Sequence, residues 1–360
     1  MTGSRPRWST RATIAVGLFA SLAMVLPARV VEACTPAPNA IAIASFNVKW
    51  IGYYENERRN EQLAAMVADC DIVVVQELVA PPDFDVVGMP VGWPSDQGKH
   101  YPNGKALKPD KGATDFFRAF LKNQSRYVLS NSDTGSSPKV HVNSASTEWF
   151  VAFYKHDRVC TTGDNRCGAL PKSEFLARDI SDHPDFERVP YAFAFRALND
   201  GDPANDFVLV SVHLQPNKST AAKNRRRNEL AAIMRWAEDP ERLPETDIVV
   251  LGDMNIHSCE ELGEVLPSGY LSLNDECRDT VPSKHSRPYD NVVYREANAP
   301  EIDTDFDMKV INIVEAARAD WASTQIGTYP GDPYQPKVFP KYYSDHHPIH
   351  FRMRIVADDD

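Results

Sequence analysis

The chain has 360 residues, 42% of them hydrophobic, and a formal net charge of −11 at pH 7. This length suits one large α/β domain or two small ones, and because no internal repeat or low-complexity tract divides the chain, we predict a single domain. This negative net charge excludes the class of basic proteins that bind nucleic acid through their overall charge. A polyanionic substrate would need metal ions and a local basic patch.

The first predicted element is an N-terminal leader. Three arginines and no acid precede an apolar stretch over residues 12–28, and small residues follow it. This pattern is typical of a secretory signal peptide; the stretch is shorter than a confident membrane span and is interrupted by Pro27. We therefore predict a signal peptide over residues 1–33 and a secreted chain with a single domain over residues 34–360.

Apolar runs and stretches with helical spacing alternate along the rest of the chain. In chain order they predict a strand over 40–46, a helix over 57–70, a strand over 71–75, a helix over 115–122, strands over 148–154, 188–197 and 206–212, a helix from Ser219 or Thr220, and strands over 247–251, 290–294 and 349–356. Most of the chain between Glu77 and the strand over 148–154 is predicted as loop. The alternation indicates an α/β protein.

Six cysteines in an exported chain indicate disulfide bonds, because that compartment is oxidising. The spacing and elimination favour three pairs: Cys160 with Cys167, Cys259 with Cys277, and Cys34 with Cys70. Cleavage after Ala33 would also make Cys34 the first residue of the mature chain. A lipid anchor through Cys34 is therefore the alternative to plain secretion.

Polar residues stand just beyond the carboxyl ends of the apolar runs. They are Asn47, Glu77, His213, Asp253 and Asn255. In α/β sheets this edge is where ligands bind. Each residue alone could be an ordinary turn residue, an exposed acid or a hydrogen-bonded core histidine, so the argument depends on the ordered set.

The set suits hydrolysis of a phosphate ester, which needs charge neutralisation, a deprotonated water and a proton for the leaving oxygen. Glu77 and either Asp253 or Asp345 are hard oxygen ligands suited to Mg²⁺ or Ca²⁺, and Asn47 and Asn255 can assist or hold phosphate. Two histidines, His213 and His346, are the candidate base and acid, because imidazole titrates near neutral pH.

Six short motifs in this order resemble the endonuclease/exonuclease/phosphatase superfamily. They are Phe46-Asn47, Gln76-Glu77, Val212-His213-Leu214, Gly252-Asp253-Met254-Asn255, Tyr289-Asp290-Asn291 and Ser344-Asp345-His346-His347-Pro348. The resemblance runs from about Ile41 to Ile355. It implies a four-layer α/β sandwich, with two packed mixed sheets, helices outside, and the site at one end between the sheets.

The resemblance also implies roles for metal and phosphate binding. Glu77 is the expected principal metal ligand, with Asn47 beside it and Asp345 as second ligand or phosphate-site residue. Asp253 and Asn255 are expected to position the attacking water and the scissile phosphate, and Asp253 is a further candidate ligand. The expected cofactor is Mg²⁺, with Ca²⁺ or Mn²⁺ as alternatives.

The acid/base pair implied by the resemblance is His213 and His346, with Asp290 orienting His346. The motif spacing selects His346 as catalytic and leaves His347 at the variable position.

Two further segments resemble secreted deoxyribonuclease I and related bacterial nucleases. These are Thr147-Glu148-Trp149 and Arg188-Val189-Pro190. Glu148 would support His213, and Arg188 would contact phosphate. The leading hypothesis is therefore a secreted endonuclease that acts on DNA or RNA, with no stable protein partner implied.

The main alternative is a secreted sphingomyelinase or phospholipase C-type enzyme. An aromatic, Pro-rich segment over residues 329–343 could contact a membrane, or it could be a packed loop. A second alternative is a non-catalytic binding module, which loss of either histidine or of Glu77 would have indicated. For a nuclease, the basic run from Lys218 to Arg227 is the best phosphate-binding patch, and a solvated helix face is the competing interpretation.

Overall fold

Two mixed β-sheets form the centre of the molecule in a computed structural model. The structure describes residues 34–52, 58–91, 109–130, 148–177, 183–239, 246–283 and 287–358. The predicted signal peptide lies outside these residues. Within them, no helix has the length and apolar character needed to cross a membrane.

The described residues form strands and helices from Ala40 to Arg354. The strands are β1 (Ala40–Ile51), β2 (Ile72–Leu78), β3 (Ser125–Leu129), β4 (Trp149–Lys155), β5 (Val159–Thr161), β6 (Glu174–Phe175), β7 (Tyr191–Asn199), β8 (Asp202–His213), β9 (Ile248–Asp253), β10 (Tyr270–Ser272), β11 (Asp290–Arg295), β12 (Lys309–Val310) and β13 (Ile349–Arg354). The helices are α1 (Asn60–Ala65), α2 (Phe84–Val87), α3 (Lys111–Lys122), α4 (Thr220–Ala237), α5 (Cys259–Val265), α6 (Ile313–Ala322) and α7 (Phe339–Tyr342), with a 3₁₀ turn over Glu296–Asn298.

The first sheet has six strands in the order β12-β13-β1-β2-β4-β3, and the second has seven in the order β10-β11-β9-β8-β7-β5, with β6 on β7. The pairs β1/β2 and β8/β9 are parallel, whereas their other neighbours are antiparallel. Parallel pairing places the carboxyl ends of β1 and β2 at one edge of the first sheet and those of β8 and β9 at one edge of the second. The two edges meet where Asn47 of β1 contacts Asp253 of β9.

Side-chain alternation along the strands explains the layers. In β1, Ile41 and Ile43 pack between the sheets, while Ala44 and Phe46 pack in the cluster that contains helices α1, α3 and α6. The second sheet is covered in the same way by α4, whose Leu230 and Ile233 belong to the same buried cluster as residues of that sheet. The predicted four-layer α/β sandwich is confirmed.

Several predicted bounds shift. The strand predicted over 40–46 continues to Ile51, and the strand predicted over 206–212 begins at Asp202. The second shift arises because Asp200 and Gly201 both have positive φ, 53° and 94°, and close a tight hairpin between β7 and β8. Two-residue hairpins of this type favour Asp-Gly, so this turn was readable from the sequence.

Some elements were missed altogether. They are the short or edge strands β3, β5, β6, β10 and β12, and helices α2, α5, α6 and α7. Short segments carry too few periods for a pattern to separate them from loop. Helix α4 begins where predicted, because the Ser219 side chain accepts a hydrogen bond from the Ala222 amide.

All three predicted disulfides are present: Cys34–Cys70, Cys160–Cys167 and Cys259–Cys277. The first ties the segment before β1 to the turn before β2.

The aromatic segment over 329–343 packs against the protein and contains helix α7. Phe339 and Tyr343 are fully buried, the Tyr343 hydroxyl donates to Asp320 at 2.8 Å, and Tyr342 packs edge-on against Trp321. A membrane contact would require these rings at the surface. They stabilise the packing of the segment instead, so this segment no longer favours the lipid alternative.

Candidate active site

The polar residues at the strand ends meet across the two sheets. Asn47, from the first sheet, donates through Nδ2 to Glu77 Oε1 at 2.9 Å and to Asp253 Oδ2, in the second sheet, at 3.0 Å. All three side chains are buried. Asn47 therefore joins the two sheets at the site and fixes the separation of the two carboxylates.

Unusual backbone conformations aim these carboxylates. Glu77 has φ of 64°, and its Oε2 accepts a hydrogen bond from the Trp50 amide at 3.1 Å. Gly252 has φ of 137°, and a Cβ there would lie 2.3 Å from the Val212 carbonyl oxygen. Only glycine fits at this position, which brings Asp253 into register beside His213 of the adjacent strand.

His213 is held from its far side by Glu148. Its Nδ1 lies 3.2 Å from Glu148 Oε2, and its Nε2 lies 3.5 Å from Asp253 Oδ2. Burial, together with the nearby Arg188 charge, lowers the pKa of His213 to about 4. The ring is therefore neutral at pH 7, as a general base must be.

His346 is held in the same way by Asp290. Its Nδ1 lies 2.8 Å from Asp290 Oδ2, and its Nε2 lies 3.6 Å from Asp253 Oδ2. Burial opposes the charge, but Asp290 and Asp253 more than offset it and raise the pKa of His346 to about 10. The two histidines face one carboxylate oxygen with opposite protonation states, which is the arrangement that a base and acid pair requires.

His347 lies outside this arrangement. Its Nδ1 accepts a hydrogen bond from the Ile313 amide at 3.0 Å, at the first turn of α6. The structure thus gives His347 a role in anchoring a helix and places its neighbour His346 in the site.

Asp345 contacts a residue that the sequence analysis did not single out. Its Oδ2 lies 2.7 Å from Lys49 Nζ, and its buried Oδ1 has no hydrogen-bond partner among the described residues. Burial would raise the pKa of Asp345, but the charges of His346 and Lys49 outweigh it and lower the pKa. The signal in the sequence was a lysine two residues after the Asn47 motif.

The donor set fits a divalent cation. Ligand atoms of Glu77, His213 and Asp253 all lie within 4.8 Å of one another. Burial, with Glu148 and Asp345 as like-charged neighbours, raises the pKa of Glu77, and a bound cation would offset this unfavourable environment of the carboxylate. Oxygen donors in such a cluster suit Mg²⁺, Ca²⁺ or Mn²⁺.

Glu77 would hold the ion, with Asp253 as a further donor and Asn47 orienting Glu77. The role of Asp345 as second ligand stays a prediction, because its Oδ2 is paired with Lys49. The ion would supply a Lewis acid for a phosphoryl oxygen.

Asn255 and Arg188, both predicted to contact phosphate, are in or beside the site. The backbone amide of Asn255 donates to Asp253 Oδ1 at 2.9 Å, and the side-chain Nδ2 of Asn255 donates to the Leu214 carbonyl at 3.1 Å. Arg188 is 7% exposed; its Nε lies 3.4 Å from Glu148 Oε2, and its Nη1 donates to the His213 carbonyl. Arg188 therefore supports Glu148 and His213, and its contact with phosphate stays a prediction.

Three of the five basic side chains predicted as a phosphate-binding patch are paired within the protein. Arg226 is fully buried and paired with Glu261, Lys223 pairs with Glu264, and Arg225 donates to the Pro184 carbonyl. These charges fasten α4 to α5 and to the segment before β7. The solvated-face interpretation also fails for Arg226, because its side chain points into the protein.

Comparisons with known proteins agree with this geometry. The family model of the endonuclease/exonuclease/phosphatase family matches residues 44–346. No curated protein matches the sequence.

Among solved structures, a functionally unknown conserved protein from Enterococcus faecalis V583 is similar at 14% identity, over 88% of this chain and 100% of its own, with a TM-score of 0.50. An endonuclease/exonuclease/phosphatase from Bacteroides vulgatus is 13% identical over 88% and 99%, with a TM-score of 0.49. A mannosyl-6-phosphatase from Bacteroides thetaiotaomicron VPI-5482 is 13% identical over 87% and 99%, with a TM-score of 0.47. At these identities the likeness concerns the fold.

The matched range contains every side chain of the site, from Asn47 to His346. The chain belongs to the endonuclease/exonuclease/phosphatase family and is a divalent-metal-dependent hydrolase of phosphoester bonds.

Proposed function

We propose that the chain is an exported endonuclease that uses Mg²⁺ to cleave the phosphodiester bonds of DNA, with RNA as a second substrate. The observation that carries this proposal is the pair of histidines: His213 Nε2 and His346 Nε2 lie 3.5 and 3.6 Å from the same oxygen, Asp253 Oδ2. A phosphate group beside Asp253 would have a neutral imidazole and an imidazolium within reach. Attack by water and departure of an alkoxide require such a base and acid.

The support around His213 favours a nuclease of the deoxyribonuclease I type. The resemblance predicted that Glu148 supports His213, and the two side chains are 3.2 Å apart although 65 residues separate them in the chain. An exposed aromatic ring also borders the site: Trp50 is 39% exposed, and its amide contacts Glu77. Aromatic rings of this kind stack on nucleobases.

Export is proposed from the leader and from the disulfides. Bonds such as Cys160–Cys167 and Cys259–Cys277 persist in oxidising compartments. The Cys34–Cys70 bond uses the sulfur that a lipid anchor would need, which favours plain secretion. The protein is recovered from the medium of an expressing host and its N-terminus is sequenced. We expect the first residue to lie near Cys34, and recovery of the uncleaved chain would contradict this.

The activity is tested with supercoiled plasmid and, separately, sphingomyelin vesicles, in Mg²⁺ with and without chelator. We expect nicking of the plasmid that chelator abolishes and that His346→Ala reduces at least about a hundredfold, in the range of general acid–base effects. His183→Ala serves as matched control, because the His183 ring accepts a hydrogen bond from the Asp185 amide and packs against Phe186, neither of which is a residue of the site. Choline phosphate released from vesicles, with the plasmid intact, would assign the protein to the lipid hydrolases.

A further inference from the structure

An irregular turn in β1 lies directly beside the proposed metal site. The pairing of β1 with β2 shifts register between Asn47 and Ile51, and the two residues Lys49 and Trp50 have left-handed φ values of 55° and 53°. Neither is glycine, so each costs on the order of 1–2 kcal/mol relative to an extended conformation. Surrounding contacts must therefore hold this turn in place.

Those contacts come from several directions. Buried Arg58 donates to the carbonyls of Lys49, at 2.5 Å, and Val48. The Ser344 hydroxyl donates to the Asn47 carbonyl at 2.8 Å, and the Lys49 amide donates to Asn47 Oδ1 at 3.0 Å. The turn is thus fixed to the segment that carries Asp345 and to the side chain of Asn47, which orients Glu77.

The fixed turn presents one cation to the site. Lys49 Nζ lies 2.7 Å from Asp345 Oδ2 and 4.5 Å from the centre of the Trp50 ring. The side chains of Lys49 and Asp345 are 22% and 32% exposed, so the pair is partly screened from water. The ammonium group lies on the Asp345 side of the site, whereas Asn47 and the Trp50 amide occupy the Glu77 side.

We infer that Lys49 is a charge-balancing residue of the catalytic centre. Its ammonium group neutralises Asp345 and limits the site to one divalent ion, held on the Glu77 side. A second ion at Asp345 would have to displace the ammonium group or lie within a few ångströms of it, and like charges at that separation repel strongly in a partly buried site. The inference rests on the proposed function in one respect, which is that the site binds a divalent ion.

The test is a Mn²⁺ titration of the purified full chain, in which electron paramagnetic resonance reports free Mn²⁺. We expect one bound ion for the wild type. For Lys49→Met, which keeps the length of the side chain and removes its charge, we expect a second bound ion, or binding at least about tenfold tighter, as removal of a neighbouring like charge implies. Lys49→Arg keeps the charge and should bind as the wild type does.

Lys122→Met is the matched control, because the side chain of Lys122 is 64% exposed and pairs with Glu61 of α1, which is not a residue of the site. Lys49→Gln carries the same expectation as Lys49→Met and replaces it if circular dichroism shows that the methionine variant is unfolded. Identical isotherms for the wild type and the uncharged variant would overturn the inference. A wild type that binds no Mn²⁺ would instead contradict the proposed metal-dependent function.

Discussion

Replacing Asp290 with asparagine tests the assignment of His346 as the general acid. The change removes one charge and preserves the shape of a buried side chain that lies 2.8 Å from His346 Nδ1. A hydrogen bond between charged groups contributes about 1.5–3 kcal/mol, which corresponds to a loss in kcat of roughly 10- to 150-fold, and an incorrect tautomer adds to it.

The sign of the pH dependence separates this role from a purely structural one. With Asp290 present, the pKa of His346 is raised to about 10, so the ring is protonated at pH 7. Without that charge, burial is opposed only by Asp253 and Asp345, so the pKa of His346 falls and a smaller fraction of the ring is protonated at neutral pH. The activity of Asp290→Asn should therefore recover partly as the pH falls from 7.5 to 5.5.

The assay is nicking of supercoiled plasmid at saturating Mg²⁺ across this pH range, because the alkoxide that leaves a nucleic acid requires the proton that His346 would supply. Asp275→Asn is the matched control, because the Asp275 side chain is 74% exposed and makes a 3.8 Å contact with Arg278. A loss below threefold in Asp290→Asn, or a loss that is the same at every pH, would refute the reasoning.

Two further predictions concern stability. Gly252→Ala places a methyl group against the Val212 carbonyl at a φ of 137°, so we expect destabilisation of about 3 kcal/mol or more in urea unfolding. Gly263→Ala is the control: it lies in α5, its added Cβ would meet nothing within 4 Å in the described structure, and we expect no destabilisation and up to about 1 kcal/mol of stabilisation from helix propensity. Equal midpoints for the two variants would contradict the steric argument. His350 is buried, and neither ring nitrogen bonds to a described residue; burial, with Arg352 and Lys309 nearby, lowers its pKa to about 4. Because the unfolded chain binds the proton below about pH 6.5 and the folded chain does not, stability falls as the pH drops through this window. Between pH 7 and pH 5 the free energy of unfolding, measured in urea, should fall by about 2 kcal/mol less in His350→Leu than in the wild type. An unchanged pH dependence would show that folded His350 is accessible to protons.

Much of the site could be predicted from the sequence, because its residues follow the apolar runs that become central strands. Asn47, Glu77, His213 and Asp253 each lie at the carboxyl end of such a strand, and parallel pairing brings those ends to one edge. The disulfide pairs were also predictable, since two of them close short loops. These features depend on local pattern and on the order of residues along the chain.

Other features depend on contacts between distant parts of the chain. Lys49 and Asp345 are 296 residues apart, and Lys49 points at Asp345 only because Arg58 and Ser344 hold an irregular turn. Arg226 was predicted as part of a surface patch, but it is buried because Glu261 and two carbonyls receive its guanidinium group.

The protonation of the two histidines illustrates the same division. As residue types, His213 and His346 are identical, and the sequence names both as candidates without distinguishing base from acid. Their pKa values move apart because one ring lies near Arg188 and the other bonds to Asp290. The sequence determined which residues reach the site, and the tertiary structure decided their charges, because burial and neighbouring charges exist only after the two sheets have packed.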